Sequence, residues 1–309
     1  MSPEIIDRKG LTITALTFVI WGVVPLYWHL LKVVPSLHII AHRIVWSTLL
    51  VVGWLLLKDG FGWLQRIRAQ PRALAVLGLT SLLIAFNWGL YIWAVNAGHV
   101  VETSLGYFIN PLINVVLGVL VLKERLRAPQ WVAVAFAALG VAWLTWQSGA
   151  PPWIALGLAS TFALYGLLRK IVSVDPVAGL GVESLYLILP ALAYVAWGEA
   201  GHGGGFLDGW GWQIDALLVF GGVVTAIPLI GFAYGVRRIP LSLVGLLQYI
   251  APTLQLLIGV LVFKEAFGME RAIGFALIWL GLIVFAGEGL LRSRRKPALL
   301  AEAEGLDQG

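Results

Sequence analysis

Apolar residues fall into ten long blocks, at about 10–31, 36–57, 73–96, 101–122, 129–147, 153–172, 177–198, 214–236, 241–263 and 271–291, separated by charged or Gly/Pro-containing breaks. Each block is close to the roughly 20 residues that a helix needs to cross a bilayer. Within a block the apolar character runs all round instead of alternating. The pattern therefore predicts membrane helices and not the strands of an outer-membrane barrel. No small-residue cleavage site follows the first block, which carries Trp21, Pro25, Tyr27 and Trp28, so it reads as a retained helix. The predicted fold class is an all-α integral membrane protein with ten transmembrane helices.

Composition agrees. Of 309 residues 60% are hydrophobic and 12% charged, about half the charge of a typical soluble chain, and mean hydropathy is +0.89. A soluble enzyme or a nucleic-acid module is excluded on that ground. The chain has no Cys, which removes disulfides, thiolate metal sites and Cys nucleophiles. Loop charge sets the expected orientation. With the N-terminus in the cytoplasm, 17 Lys/Arg fall on inner segments and only Lys32, Lys264 and Arg271 on outer ones, the positive-inside bias. The long outer loop 199–213 carries Glu199 and Asp208 but no Lys or Arg.

The chain also repeats itself. LGYFINPLINVVLGVLVLKE (105–124) aligns without gaps on LLQYIAPTLQLLIGVLVFKE (246–265), pairing Pro111 with Pro252, Gly118 with Gly259, Lys123 with Lys264 and Glu124 with Glu265 at an offset of 141. Gly140 and Gly281 match at the same offset, and Thr17-Phe18…Trp21-Gly22 resembles Thr161-Phe162…Tyr165-Gly166. Each copy holds five helices. An odd number makes the second copy enter the membrane from the opposite side, giving two five-helix inverted-topology repeats as in many secondary transporters. The expected organisation is a first repeat at 1–147, a linker near Ser148–Pro152, a second repeat at 151–295 and a cytoplasmic tail at 296–309.

The strings IWGVVPLYWHLLKVVPSLHIIAHRIVWS (20–47), NWGLYIWAVNAGHVVETSLGYFINPLIN (87–114) and LQYIAPT (247–253) resemble RarD-type permeases, of the EamA group of the drug/metabolite transporter superfamily. The likeness covers roughly residues 9–292. It implies a ten-helix inner-membrane protein built from two EamA-type repeats. The family label is tied to chloramphenicol sensitivity; the resemblance brings no agreed set of binding residues.

Candidate site residues therefore come from the polar groups inside the spans, where charge is costly and normally faces a cavity or a partner. Arg43 lies in the outer part of the second span and Glu183 in the inner part of the seventh, its repeat counterpart. Arg43 reads as an ion pair with Glu102, as a solute contact, or as a side chain reaching the outer interface. Glu183 reads as a proton carrier or as a hydrogen-bonded carboxyl at the cytoplasmic mouth. His42, Asn87 and Asn110 come out near the depth of Arg43; Asn114 and Gln255, a repeat pair, fall near the midplane, and Gln248 mirrors the outer layer. These, with the aromatic residues Trp88, Tyr107 and Tyr249, form the candidate solute-binding set. Intramembrane Asn is otherwise interhelical glue. His42 is a second candidate for proton coupling, since His titrates near physiological pH. Pro25, Pro111, Pro190, Pro228 and Pro252 each free the carbonyl four residues back, so each site is a kink or a hinge. Pro111 and Pro252, being repeat-related, are the hinge candidates.

No catalytic set, metal site or cofactor is expected, and the absence of G-x-x-x-x-G-K-[ST] excludes ATP as the driver. The expected partners are a small organic solute, the lipid bilayer and protons, with no nucleic acid. The expected function is a secondary transporter of the inner membrane, exporting its solute on a proton gradient. An uncoupled facilitator of the same fold is the alternative, and a membrane-embedded enzyme lacks a nucleophile with an adjacent base.

Overall fold

The computed structural model of the chain describes residues 7–97, 100–147, 153–264 and 268–306, and every regular element in them is a helix. In order these are α1 (Arg8–Leu30), α2 (Ser36–Asp59), α3 (Gly62–Arg68), α4 (Pro71–Asn96), α5 (Val100–Leu120), α6 (Ala128–Gln147), α7 (Trp153–Ile171), α8 (Pro176–Glu199), α9 (Trp212–Val236), α10 (Leu241–Gln248), α11 (Ile250–Leu261) and α12 (Met269–Leu306). Among the described residues nine spans are long and apolar enough to cross a membrane, α10 and α11 counting as one, and the apolar stretch Leu105–Leu120 of α5 is the tenth. The face from which α1 enters is called the near face below, the opposite one the far face.

Two elements depart from the expected pattern. The near-face loop after α2 contains the short helix α3, which tucks in Trp63 and Ile67 and leaves Arg66 to pair with Asp59. Seven residues are too few to stand out from a loop by periodicity. The ninth span, expected to run unbroken over 241–263, is two segments meeting at Tyr249. Pro252 lacks the N–H that would bond to the carbonyl of Gln248, and its ring crowds that carbonyl. Its repeat mate Pro111 sits inside α5, which stays continuous.

Helix packing repeats the sequence duplication. α5 packs on α7 as α11 packs on α1; α2 packs on α9 as α8 packs on α4; α1 packs on α9 as α7 packs on α4. The remaining large contacts, α2 with α8, α5 with α10 and α6 with α12, join helices to their own counterparts. A two-fold axis in the membrane plane produces such a set. Local geometry follows it too: Lys123 and Lys264 both take the left-handed backbone region, φ 56° and 57°, rare for residues with a Cβ. At Lys123 this turn brings Glu124 back to the N-terminus of α10, where its carboxylate accepts from Leu241 N (2.6 Å), Ser242 N (2.9 Å) and Ser242 Oγ (2.7 Å). A negative group at the positive end of a helix dipole is favourable, and here it ties the first repeat to the second. Glu265 falls outside the described residues.

Close approach of α6 and α12 depends on the repeat pair Gly140 and Gly281. A Cβ on Gly140 would stand 2.6 Å from Gly274 O, and one on Gly281 2.6 Å from Ala133 O. On the far face, the loop between α8 and α9 folds back over the bundle. Glu199 accepts from Gly205 N and Phe206 N, and Asp215 from Leu207 N, so two carboxylates replace the missing helical partners of the turn.

Candidate functional site

A narrow crevice lies between the two repeats. It is lined by Ile44, Ile84 and Trp88 from the first and by Tyr165, Leu187 and Leu229 from the second, with Glu183 at one end and Thr225 at the other. The two ends differ in charge.

At the near-face end Glu183 is sealed from solvent seven residues after the start of α8, about 10 Å into the membrane. Its Oε1 accepts from Thr80 Oγ1 of α4 at 2.6 Å and its Oε2 from Tyr165 OH of α7 at 3.3 Å. Arg169 Nη1 lies 3.5 Å from Oε1. Arg169 is buried beside it and donates from Nη2 to Pro176 O at 3.0 Å, while its Nε and Nη1 lack a hydrogen-bond acceptor. The reading of the loop charges placed Arg169 on a cytoplasmic segment; the structure turns it inward. A four-residue connection from Val172 to Asp175 holds the last turn of α7 against the first turns of α8, so an Arg side chain at that turn reaches a carboxyl two turns into the next helix. Thr80, Tyr165 and Arg169 were not among the candidates. A lone carboxylate in a span signals that some cation must lie within reach, and the neighbouring hairpin arm is the first place to look.

At the far-face end Arg43 is half-buried where α1, α2, α4 and α9 converge. Its Nε donates to Thr225 Oγ1 at 2.9 Å. Its guanidinium carbon stands 4.6 Å from the Trp28 ring centroid and 4.8 Å from that of Trp88, close enough for cation–π attraction to both indoles. The phenols of Tyr27 and Tyr107 are within electrostatic reach of it, and Tyr107 and Tyr91 rings meet edge-on at 6.2 Å. Trp28 and Thr225 are further contacts that the sequence reading did not single out. The expected partner Glu102 lies in the first turn of α5, and its side chain is outside what the structure describes.

The other candidates do not gather round Arg43. His42 points the other way on α2, under the far-face loop. Its Nδ1 accepts from Trp46 Nε1 at 3.3 Å, and its ring meets Phe206 and Trp210. Neighbouring positions on a helix are about 100° apart, which separates His42 from Arg43. Asn87 donates to Leu158 O at 2.8 Å and Thr161 Oγ1 at 2.9 Å, and Asn110 to Ala159 O at 2.7 Å, so both stitch the first repeat to α7. Asn114 donates to Asn110 Oδ1 at 3.1 Å and to Gln248 Oε1 at 2.7 Å, extending the ladder to α10. Tyr249 is buried and donates to the carbonyl of Phe108, its own repeat counterpart, at 3.1 Å. Gln255 Nε2 donates to Trp21 O at 3.1 Å, the carbonyl that Pro25 frees in α1.

Ten spans in two inverted halves around a mainly apolar cleft with a carboxyl at one end are the frame of a multi-pass membrane transporter. The chain belongs to the EamA-like transporter family, which matches residues 8–146 and again 151–287, the two repeats in turn. It is 45% identical over 304 residues to Protein RarD of Streptomyces exfoliatus, covering 98% of this chain and 96% of that one. It is 44% identical over 297 residues to an uncharacterized transporter of Pseudomonas aeruginosa, covering 94% of this chain and 97% of the relative. The protein is thus a RarD-type permease of the drug/metabolite transporter group. A crystal structure at 22% sequence identity superposes with a TM-score of 0.67, over 90% of this chain and 97% of that one, and shares the fold.

Proposed function

We propose that the protein exports a small organic solute across the inner membrane on a proton gradient, with both termini in the cytoplasm. The observation that carries this reading is the position of Glu183: it lines the cleft between the repeats and is at the same time held by Arg169, Tyr165 and Thr80. A proton arriving through the cleft would neutralise the carboxylate and cancel its attraction to Arg169, loosening α8 from α7 and α4. The bundle then has two arrangements that differ by one proton, as coupled exchange requires. The break at Tyr249 before Pro252 and the proline position Pro111 in α5 are the hinges on which the repeats rock, and the Asn110–Asn114–Gln248 ladder and Gln255 steady the helices between them. The near-face loops carry the Lys/Arg excess and so face the cytoplasm.

Metabolite profiling of cells with and without the gene identifies the solute; uptake into proteoliposomes under a pH difference then tests coupling. Glu183→Gln keeps size and hydrogen bonding but removes the charge. Gradient-driven accumulation fails in that variant while solute exchange, which moves no net proton, survives. Continued accumulation against the gradient favours a different coupling group; equal and passive flux in parent and variant favours the facilitator. Reporter fusions at Arg295 and Gly204 read opposite compartments.

A further inference from the structure

We infer that the cleft selects organic anions, with Arg43 as the recognition residue for a carboxylate on a flat apolar body. The inference rests on the transporter reading and names its solute class. Arg43 is a full positive charge about seven residues into α2, where the surroundings are apolar. Of its five N–H donors only Nε has an acceptor among the described residues, and no carboxylate among them pairs with it. Trp28 and Trp88 both stand within cation–π distance of the planar guanidinium without neutralising it. The free edge of such a plane is a two-toothed donor that matches a carboxylate.

The remainder of the cleft fits the same class. Trp88 and Thr225 both contact Arg43 and both line the cleft. A solute bound by its carboxylate at Arg43 lays its body along Trp88, Ile84 and Leu187. The carboxylate at the other end does not recruit a cation, because Glu183 already has Arg169. Beside the cleft, Arg43 is therefore the cation without a counter-charge among the described residues.

Benzoate, benzyl alcohol and benzylammonium share a ring and differ in charge, so they separate charge recognition from ring burial. Each is titrated in chloride-free buffer onto the full-length protein in lipid nanodiscs, reading the shift in unfolding temperature. Saturable stabilisation by benzoate at concentrations at least tenfold below either analogue is expected. Arg43→Gln abolishes the difference between the three probes, while Arg43→Lys retains a reduced preference because charge survives and the fork does not. A preference for benzylammonium, equal effects of the three, or no saturable effect of benzoate overturns the proposal. So does an anion preference that emerges only in Glu102→Gln, which would assign the guanidinium to Glu102. Solute exchange measured in proteoliposomes of the same preparation tests the transporter reading separately: exchange without anion preference defeats the inference alone, and absence of exchange of any cell metabolite defeats the transporter reading.

Discussion

Two arginines sit within the membrane bundle and are held in opposite ways. Arg169 is closed in on every side, beside a carboxylate and under a backbone carbonyl that its own hairpin supplies. Arg43 has two indole faces and one hydroxyl, and two of these neighbours, Trp88 and Thr225, line the cleft. Removing a buried charge from water is costly, and the cost is met only when a partner is fixed in place. At Arg169 the fold provides that partner. At Arg43 the described fold provides orientation but no counter-charge. Two groups of identical chemistry can thus serve stability at one end of a cavity and recognition at the other.

The comparison can be broken most severely at Arg169. Arg169→Met leaves Glu183 buried and uncompensated, at a cost of about 3–5 kcal/mol, whereas adding Glu183→Leu restores most of the loss. Denaturant unfolding in mixed micelles reads both, and an unchanged single variant would refute the pair. Next come two glycines, one at each end. A Cβ on Gly179 would occupy the place of the Arg169 guanidinium, whereas one on Gly221 meets Tyr27 Oη at 3.6 Å and Arg43 Cγ at 3.7 Å. Gly179→Ala costs about 1–3 kcal/mol through overpacking and Gly221→Ala stays within about 0.5 kcal/mol; the same unfolding assay separates them. Glu124→Gln weakens the charge at the N-terminus of α10 by about 1 kcal/mol, a loss that calorimetry should register as a lower unfolding temperature. The smallest effect on folding falls at Arg43. Arg43→Met gives up cation–π contacts but relieves an unpaired charge, a net change below about 1 kcal/mol, so its unfolding curve nearly overlays that of the parent.

The ten spans and the duplication are legible in the sequence because they rest on properties that context cannot overturn: block length, all-round apolarity, and an offset of 141 shared by a Pro, a Gly and a Lys-Glu pair. The positions of Arg43 and Glu183 at mirrored depths were legible for the same reason. Their partners were not. Whether a charge in the last turn of a helix snorkels outward or turns inward is settled by the neighbouring hairpin arm, and Arg169 looks from sequence just like Lys170 beside it. Lys170 does reach backbone carbonyls at the end of α9, Val236 O at 2.9 Å and Ile239 O at 2.7 Å. Depth also says nothing of azimuth. His42, Arg43, Asn87 and Asn110 share a level, yet the structure divides them among three surroundings.

The seam between α6 and α12 has a mechanical meaning. Gly140 and Gly281 each rest on the backbone of the opposite helix, and the contact maps onto itself when the repeats are exchanged. Surfaces matched so closely cannot slide by a residue without collision. If the repeats rock as proposed, this pair is the axle, fixed at its own crossing. Rotation about an axle that coincides with its own symmetry partner would carry an inward-open shape into an outward-open one by a single movement, so the two halves would need no separate drives.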